Sequence, residues 1–191
     1  MCKIMIPVAC SNRHAHLTQE NIEQLFGIGY KLTFLRDIKQ HDDFVSGEVI
    51  GVAGPGGILK GVRVMGPARD IAQVEMSVTD ARHIGAEIKV RRSGDVAGTG
   101  GVRLIGAAGD CRLEEGVIIP ARHIHVNPDE ARKLGIADGR IVSAKTSGAR
   151  GVIFHNIVVR TDPLFVMELH LDTDEFNAAG LKKGDYAELI L

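Results

Sequence analysis

Tryptophan is absent from the 191 residues and aromatics make up only 4%, which leaves little for stacking nucleic-acid bases. Charge of neither sign prevails. Twenty-three Lys and Arg stand against 24 Asp and Glu, a net charge of −1, so no field steers the chain toward nucleic acid or an anionic membrane surface. No apolar run approaches the length that spans a bilayer. The stretch Met1-Cys2-Lys3-Ile4-Met5-Ile6-Pro7 ahead of the first motif is too short to hold a signal peptide. The three cysteines, Cys2, Cys10 and Cys111, match no metal-knuckle or redox spacing, and read as reduced structural thiols of a cytoplasmic protein. Gly98-Thr99-Gly100-Gly101 lacks the Gly-Lys-Ser/Thr ending of a phosphate loop and reads as a turn.

Glycine, by contrast, is plentiful: 23 residues, many in Gly-Gly and Gly-x-Gly clusters between Val/Ile-rich runs. That pattern predicts many short strands and tight turns, a mainly β, barrel-like architecture with a few short helices. The length allows one substantial core or two small ones. A strand is expected from Ile4 to Ala9. A helix capped by Thr18 should follow over Gln19–Phe26, then a hairpin or irregular excursion over residues 28–47. Strands broken by Gly54-Pro55-Gly56-Gly57 and Gly66-Pro67 come next, then a strand from Ile71 to Met76 and a helix from Thr79 to Ile84. Further strands lead to a helix opened by Pro128, strands over 140–146 and 151–160, Val166–His170, a helix at about 174–179 and a last strand at 186–191.

Eight histidines in 191 residues give roughly 0.3 His-x-His pairs by chance. Two are present, in Arg13-His14-Ala15-His16 and Arg122-His123-Ile124-His125. Alternation in a strand projects both imidazoles of such a pair to one side, where they can clasp a divalent metal and leave positions open for substrate. His41, His83 and His155 stand outside these motifs and read as ordinary histidines.

The motifs belong to an internal repeat. His125-Val126-Asn127-Pro128-Asp129-Glu130-Ala131-Arg132-Lys133-Leu134-Gly135 aligns without a gap on His170 through Gly180. Glu75 through Gly85 fits the same frame, as does His16 through Phe26 with its glycine one place later. Each copy is a strand end, an apolar residue, a small polar residue able to cap, a short helix, and a glycine where it stops. The first position reads His16, Glu75, His125 and His170, all metal-ligand types. Two residues earlier stand His14, Gln73, His123 and Glu168, of which Gln73 and Glu168 suit supporting roles beside ligands.

On Ser11-Asn12-Arg13-His14-Ala15-His16-Leu17, Gly66-Pro67-Ala68-Arg69, Gln73-Val74-Glu75-Met76-Ser77, Thr79-Asp80, Pro120-Ala121-Arg122-His123-Ile124-His125 and Met167 through Glu175, the chain resembles the PduL-type phosphate acyltransferases (phosphotransacylases). The similarity runs from about residue 4 to about 188, in the family's motif order. It implies interconversion of an acyl-CoA (acetyl- or propionyl-CoA) and orthophosphate with an acyl phosphate and CoA at a two-metal site, usually zinc. His14, His16 and Glu75 would hold one ion, and His123, His125 and His170 the other. Arg69 matches the family arginine that contacts phosphate, and Ser11, Arg63 and Asn177 match positions lining the CoA pocket. The implied fold is two small β-barrels with short helical caps: residues 1–12 with 121–191 form the first, and 13–120 the second, with a hairpin excursion at about 27–47. The family is also similar in forming homodimers.

Two departures stand out. Residues 36–44 lack the Gln-Pro-Gly-Gln-Phe-like run of the family's excursion, so CoA contacts there are not carried over. There is no N-terminal extension of the kind that sends some members into bacterial microcompartments. The expectation is therefore a cytoplasmic form, or a microcompartment form if such an extension was removed.

A metal ion polarises a thioester carbonyl and stabilises a departing thiolate, and zinc accepts nitrogen, oxygen and sulfur ligands. No Cys or Ser sits in a motif beside a plausible base, which points to direct attack by phosphate. The alternative reading is a binuclear zinc hydrolase of thioesters or phosphoesters, using the same ligands to activate water. A purely structural zinc module ranks last, since such sites are usually closed and thiolate-rich.

Overall fold

The computed structural model describes residues 3–38 and 43–191. His41 and the adjacent part of the 36–44 segment, like Cys2, lie outside the described residues. In chain order the elements begin with β1 (Ile4–Ser11), β2 (His14–His16), α1 (Gln19–Phe26), β3 (Phe34–Asp37), β4 (Phe44–Gly54), β5 (Gly57–Gly66) and β6 (Gln73–Glu75). Next come α2 (Val78–Ile84), β7 (Val90–Arg91), β8 (Gly100–Ile105), β9 (Asp110–Pro120), β10 (His123–Val126) and α3 (Pro128–Leu134). The chain ends with β11 (Ile141–Lys145), β12 (Ile153–Thr161), β13 (Glu168–Asp172), α4 (Thr173–Ala178) and β14 (Tyr186–Ile190). These elements form two compact units, each a closed barrel of six strands. Among the described residues no helix is long and apolar enough to cross a membrane.

The first barrel comprises residues 3–11 and 121–191 and closes in the order β1-β13-β10-β12-β11-β14. Each strand turns an i, i+2 pair inward, as the two-residue period of a strand requires. The pairs are Ile6 and Val8, Leu169 and Leu171, Ile124 and Val126, Ile157 and Val159, Val142 and Ala144, and Ala187 and Leu189. Fully burying an Ile, Leu or Val side chain is worth about 1.5–3 kcal/mol, so the register of these pairs decides which residues face the other way.

The second barrel comprises residues 12–38 and 43–120. Its ring runs β4-β5-β2-β6-β9-β8 and returns to β4, with β3 flanking β4 and β7 flanking β9. Val62 and Val64, Ile50 and Val52, Val102 and Leu104, Ala15 and Val74 lie in its core. The excursion is a β3–β4 hairpin anchored by buried Glu48, which accepts hydrogen bonds from Tyr30 Oη and the Thr33 amide, each at 3.0 Å. At the β4–β5 turn Gly56 donates its amide to Ile84 O at the end of α2 (2.8 Å). A Cβ on neighbouring Gly54 would fall 2.3 Å from that oxygen, so the close approach needs glycine.

The two rings share one plan. Parallel pairs join β1 with β13 and β10 with β12 in the first barrel, and β9 with β6 and β2 with β5 in the second. Every other adjacent pair in both rings is antiparallel. The strand–cap–helix copies therefore occupy equivalent places, two per barrel. Thr18, Ser77, Asn127 and Asp172 are the N-caps, accepting from the amides of Asn21, Asp80, Asp129 and Glu175. The residue before each cap (Leu17, Met76, Val126, Leu171) is buried in its barrel core. Gly85 and Gly135 stop α2 and α3 in the left-handed conformation, and Gly180 at φ +64 follows α4. The strand predicted over 71–76 is shorter, Gln73–Glu75, because Ile71 is exposed and Arg69 gives its amide to Leu17 O (2.9 Å) rather than to a strand ladder.

Candidate metal centres

Parity decides where the candidate ligands point. With Ala15 and Val74 turned into the second barrel's core, His14, His16, Gln73 and Glu75 face away from it. With Ile124, Val126, Leu169 and Leu171 turned into the first barrel's core, His123, His125, Glu168 and His170 do likewise. Register then pairs them: His14 stands opposite Glu75 and His16 opposite Gln73, just as His123 stands opposite His170 and His125 opposite Glu168. The result is two triads, His14–His16–Glu75 and His123–His125–His170, in each of which one ligand atom per residue lies within 4.8 Å of the others.

In the second barrel, His14 Nδ1 lies 2.8 Å from Asn12 O. A carbonyl only accepts, so Nδ1 carries a proton and Nε2 is the ring nitrogen left for a metal ion. That Nε2 is 3.7 Å from Glu75 Oε2. The other carboxylate oxygen, Oε1, accepts from Gln73 Nε2 at 2.8 Å. Gln73 is itself held, its Nε2 on Ser93 Oγ (2.7 Å) and its Oε1 on the Gly94 amide (2.8 Å). His16 is 4% exposed, and its Nδ1 is buried with no hydrogen-bond partner. Burial first, then the charges of His14 and Arg69, lower its pKa from 6.5 to about 2, so the imidazole is neutral, the form that binds metal.

In the first barrel His123 repeats the His14 arrangement, with Nδ1 2.9 Å from Ala121 O. The His123 and His170 rings are stacked at 4.9 Å and 1°, and His125 lies 4.4 Å from His170 between centroids. Glu168 Oε2 is 3.4 Å from His170 Nε2. Phe165, from the loop between β12 and β13, stacks on His125 at 3.8 Å. Nothing in the sequence singles out this phenylalanine, which belongs to no periodic segment. Donor sets of two imidazoles with a carboxylate, and of three imidazoles, suit zinc with an open position. The preset tautomers and the orphaned His16 nitrogen fit a bound ion, since ligating histidines usually give their other N–H to a carbonyl or carboxylate.

The remaining candidates divide between the barrels. Arg69 pairs with Asp43 (Nη2 to Oδ2, 2.5 Å) and lines a cavity of about 410 Å³ with Ala68, Asp70, Ile71, Gln73 and Gly94. Arg63 stands opposite His14 on β5, its Nη1 donating to the carbonyls of Ser46 (3.1 Å) and Gly47 (2.8 Å). In the first barrel Ser11 closes β1 opposite Asp172, and Asn177 is exposed on α4. His83 is exposed, and so is His155, whose Nδ1 lies 2.9 Å from Ser143 Oγ. Neither belongs to a triad.

The model of the phosphate propanoyltransferase family (PTAC) matches residues 7–182. The chain is 42% identical over 185 residues to a phosphate propanoyltransferase of Listeria monocytogenes, covering 97% of this chain and 87% of the relative. A phosphate propanoyltransferase of Thermotoga maritima is 44% identical over 186 residues, covering 97% and 89%. One from Enterococcus faecalis is 44% identical over 177 residues, covering 93% and 84%. With strand ends, caps and triads arranged as described and a family match over most of its length, the chain belongs to the phosphate propanoyltransferase family.

Proposed function

We propose that this protein is a zinc-dependent phosphate acyltransferase. It interconverts acetyl- or propionyl-CoA and orthophosphate with the acyl phosphate and free CoA. One zinc is held by His14, His16 and Glu75, the other by His123, His125 and His170. The observation that carries this reading is the pair of triads at equivalent strand ends, each with a first histidine whose Nδ1 is bound to a backbone carbonyl two residues back. When bound, the metal supplies Lewis acidity toward the thioester carbonyl and a stabilising charge for the departing sulfur.

The chain's own groups supply the rest. Arg69, anchored through Nη2 on Asp43, offers its remaining N–H groups to phosphate oxygens, a geometry that suits a guanidinium fork. A phosphate oxygen attacks the thioester carbon, the C–O bond forms, the C–S bond breaks and CoA leaves as the thiolate. Attack is direct. The two described thiols, Cys10 and Cys111, are pushed up in pKa by burial, which disfavours the thiolate needed for an acyl-enzyme. Ser11, Arg63 and Asn177 contact CoA.

The test is thiol release from acetyl- and propionyl-CoA with and without phosphate, before and after chelation, with the acyl product identified. Release that needs both phosphate and metal, giving acyl phosphate, is expected. Activity that survives chelation would overturn the metal assignment, and free acid formed without phosphate would favour a hydrolase.

A further inference from the structure

Each His-x-His pair follows an arginine, and neither arginine is counted among the ligands. Arg13 Nη1 bonds Asp80 Oδ1 at 2.6 Å, and Arg122 Nε bonds Glu175 Oε1. The two acids hold the same position. Each is the third residue of the helix that follows the third ligand of its triad, five places after Glu75 and His170 respectively. Each is also the residue whose amide the N-cap side chain accepts: Ser77 Oγ from Asp80 N at 3.2 Å, and Asp172 Oδ1 from Glu175 N at 2.8 Å.

These contacts close a ring around each triad. The strand carrying His-x-His pairs through its ladder with the strand carrying the third ligand. That strand passes through one apolar residue to the cap, the cap fixes the acid's backbone, and the arginine returns the acid's side chain to the start of the first strand. Arg122 is further fixed by the His155 carbonyl, which accepts from Nη1 at 2.8 Å, and by Phe154, whose ring centre lies 5.3 Å from its guanidinium carbon. Surface ion pairs are ordinarily worth little. Here the same pair recurs at the same topological place in two barrels of the same plan, although one acid is Asp and the other Glu. A shared constraint on the triads accounts for that recurrence, whereas two independent surface pairs would not.

We infer that Arg13 and Arg122 are positioning residues of the two metal triads, holding the third ligand's strand end at a fixed distance from its His-x-His pair through Asp80 and Glu175. The inference rests on the proposed metal assignment and deepens it. Precise spacing of ligands is what separates a tight site from a loose one, and removing the groups that orient ligands typically costs on the order of 10–100-fold in metal affinity.

The experiment titrates metal-free full-length protein with zinc in competition with a chromophoric chelator, and follows cobalt uptake by its visible spectrum. Wild type should take up two tight equivalents. Arg13→Met and Arg122→Met should each keep one tight equivalent and weaken the other on the order of 10–100-fold, with a changed cobalt spectrum for the weakened equivalent alone. Exchanging the pair in Arg122→Glu/Glu175→Arg should recover part of the loss seen in Arg122→Met. If Arg122→Met does not fold, Glu175→Met, which removes the acceptor for Arg122, carries the test, with the same one-equivalent weakening expected. Variants that bind both equivalents as tightly as wild type while unfolding at lower urea would overturn the inference and leave the arginines with a merely structural role. Wild-type protein that takes up no zinc would instead overturn the metal assignment itself.

Discussion

Gln73 Nε2 donates to Glu75 Oε1 at 2.8 Å, two residues along the same strand, and thereby leaves Oε2 as the carboxylate oxygen beside His14. The amide is buried and also ties down Ser93 and Gly94. Gln73→Leu keeps the bulk and removes all three bonds. Leaving a buried polar group unpaired costs about 1–3 kcal/mol, and losing a group that orients a ligand costs on the order of 10–100-fold in metal affinity. The expected outcome is a lower urea midpoint together with one weakened zinc equivalent. A variant that loses stability but binds both zinc ions as wild type does would show that Gln73 supports only the loop at Ser93–Gly94.

Arg69 is the proposed phosphate contact and is also an ion-pair partner of Asp43. The two roles separate kinetically. Arg69→Ala should raise the apparent KM for phosphate by roughly 10–100-fold, the worth of charge-assisted hydrogen bonds, with little change in that for acyl-CoA. Asp43→Asn keeps the arginine and breaks only the pair, so it should leave the phosphate KM within a few-fold of wild type. Equal losses on both substrates for Arg69→Ala would remove the phosphate role.

The four helix caps were legible because capping is local chemistry: a short oxygen-bearing side chain just before a helix finds the amides there whatever the rest of the fold does. Thr18, Ser77, Asn127 and Asp172 could thus be aligned before any strand was paired. The closure of the rings was not readable in the same way. Whether β10 pairs in parallel with β12 depends on contacts more than thirty residues apart, and alternation constrains faces, not partners. Likewise the two arginines are visible in the sequence, but Asp80 and Glu175 become their partners only when α2 and α4 dock. The shortened β6 has the same origin, since the apolar run from Ile71 reads as strand until Arg69's amide is drawn to Leu17.

Direct attack by phosphate makes a prediction that a covalent route does not. With phosphate rigorously absent, labelled CoA should not exchange into acyl-CoA, because the proposed route transfers no acyl group to the protein. Adding orthophosphate should start the exchange through acyl phosphate. Exchange without phosphate would reveal an acyl-enzyme. Cys111 is a poor candidate for its nucleophile, since it packs in the second barrel's core, so the exposed Ser143–His155 pair would be the first place to look.

Glu175 tests whether burial or its partner Arg122 sets the state of the acid that closes the ring around the His123–His125–His170 triad. Burial, the largest influence, pushes its carboxyl above the ordinary value of 4.5, the charge of Asp172 adds to the rise, and the bond from Arg122 pulls the other way without cancelling it. The folded protein therefore binds the Glu175 proton more tightly than the unfolded chain does. Its contribution to stability is fully present below the unfolded pKa and is lost as pH rises through the folded one, at a slope of at most about 1.4 kcal/mol per pH unit for one group. Glu175→Gln keeps the shape and an acceptor for Arg122 but does not titrate. Urea unfolding of both proteins from about pH 4 to about pH 7 should show the stability difference shifting in favour of the variant as pH rises. A shift in favour of wild type over that range would mean that the Arg122 charge outweighs the loss of water around the carboxylate, and that the pair is a stronger electrostatic clamp than its burial suggests.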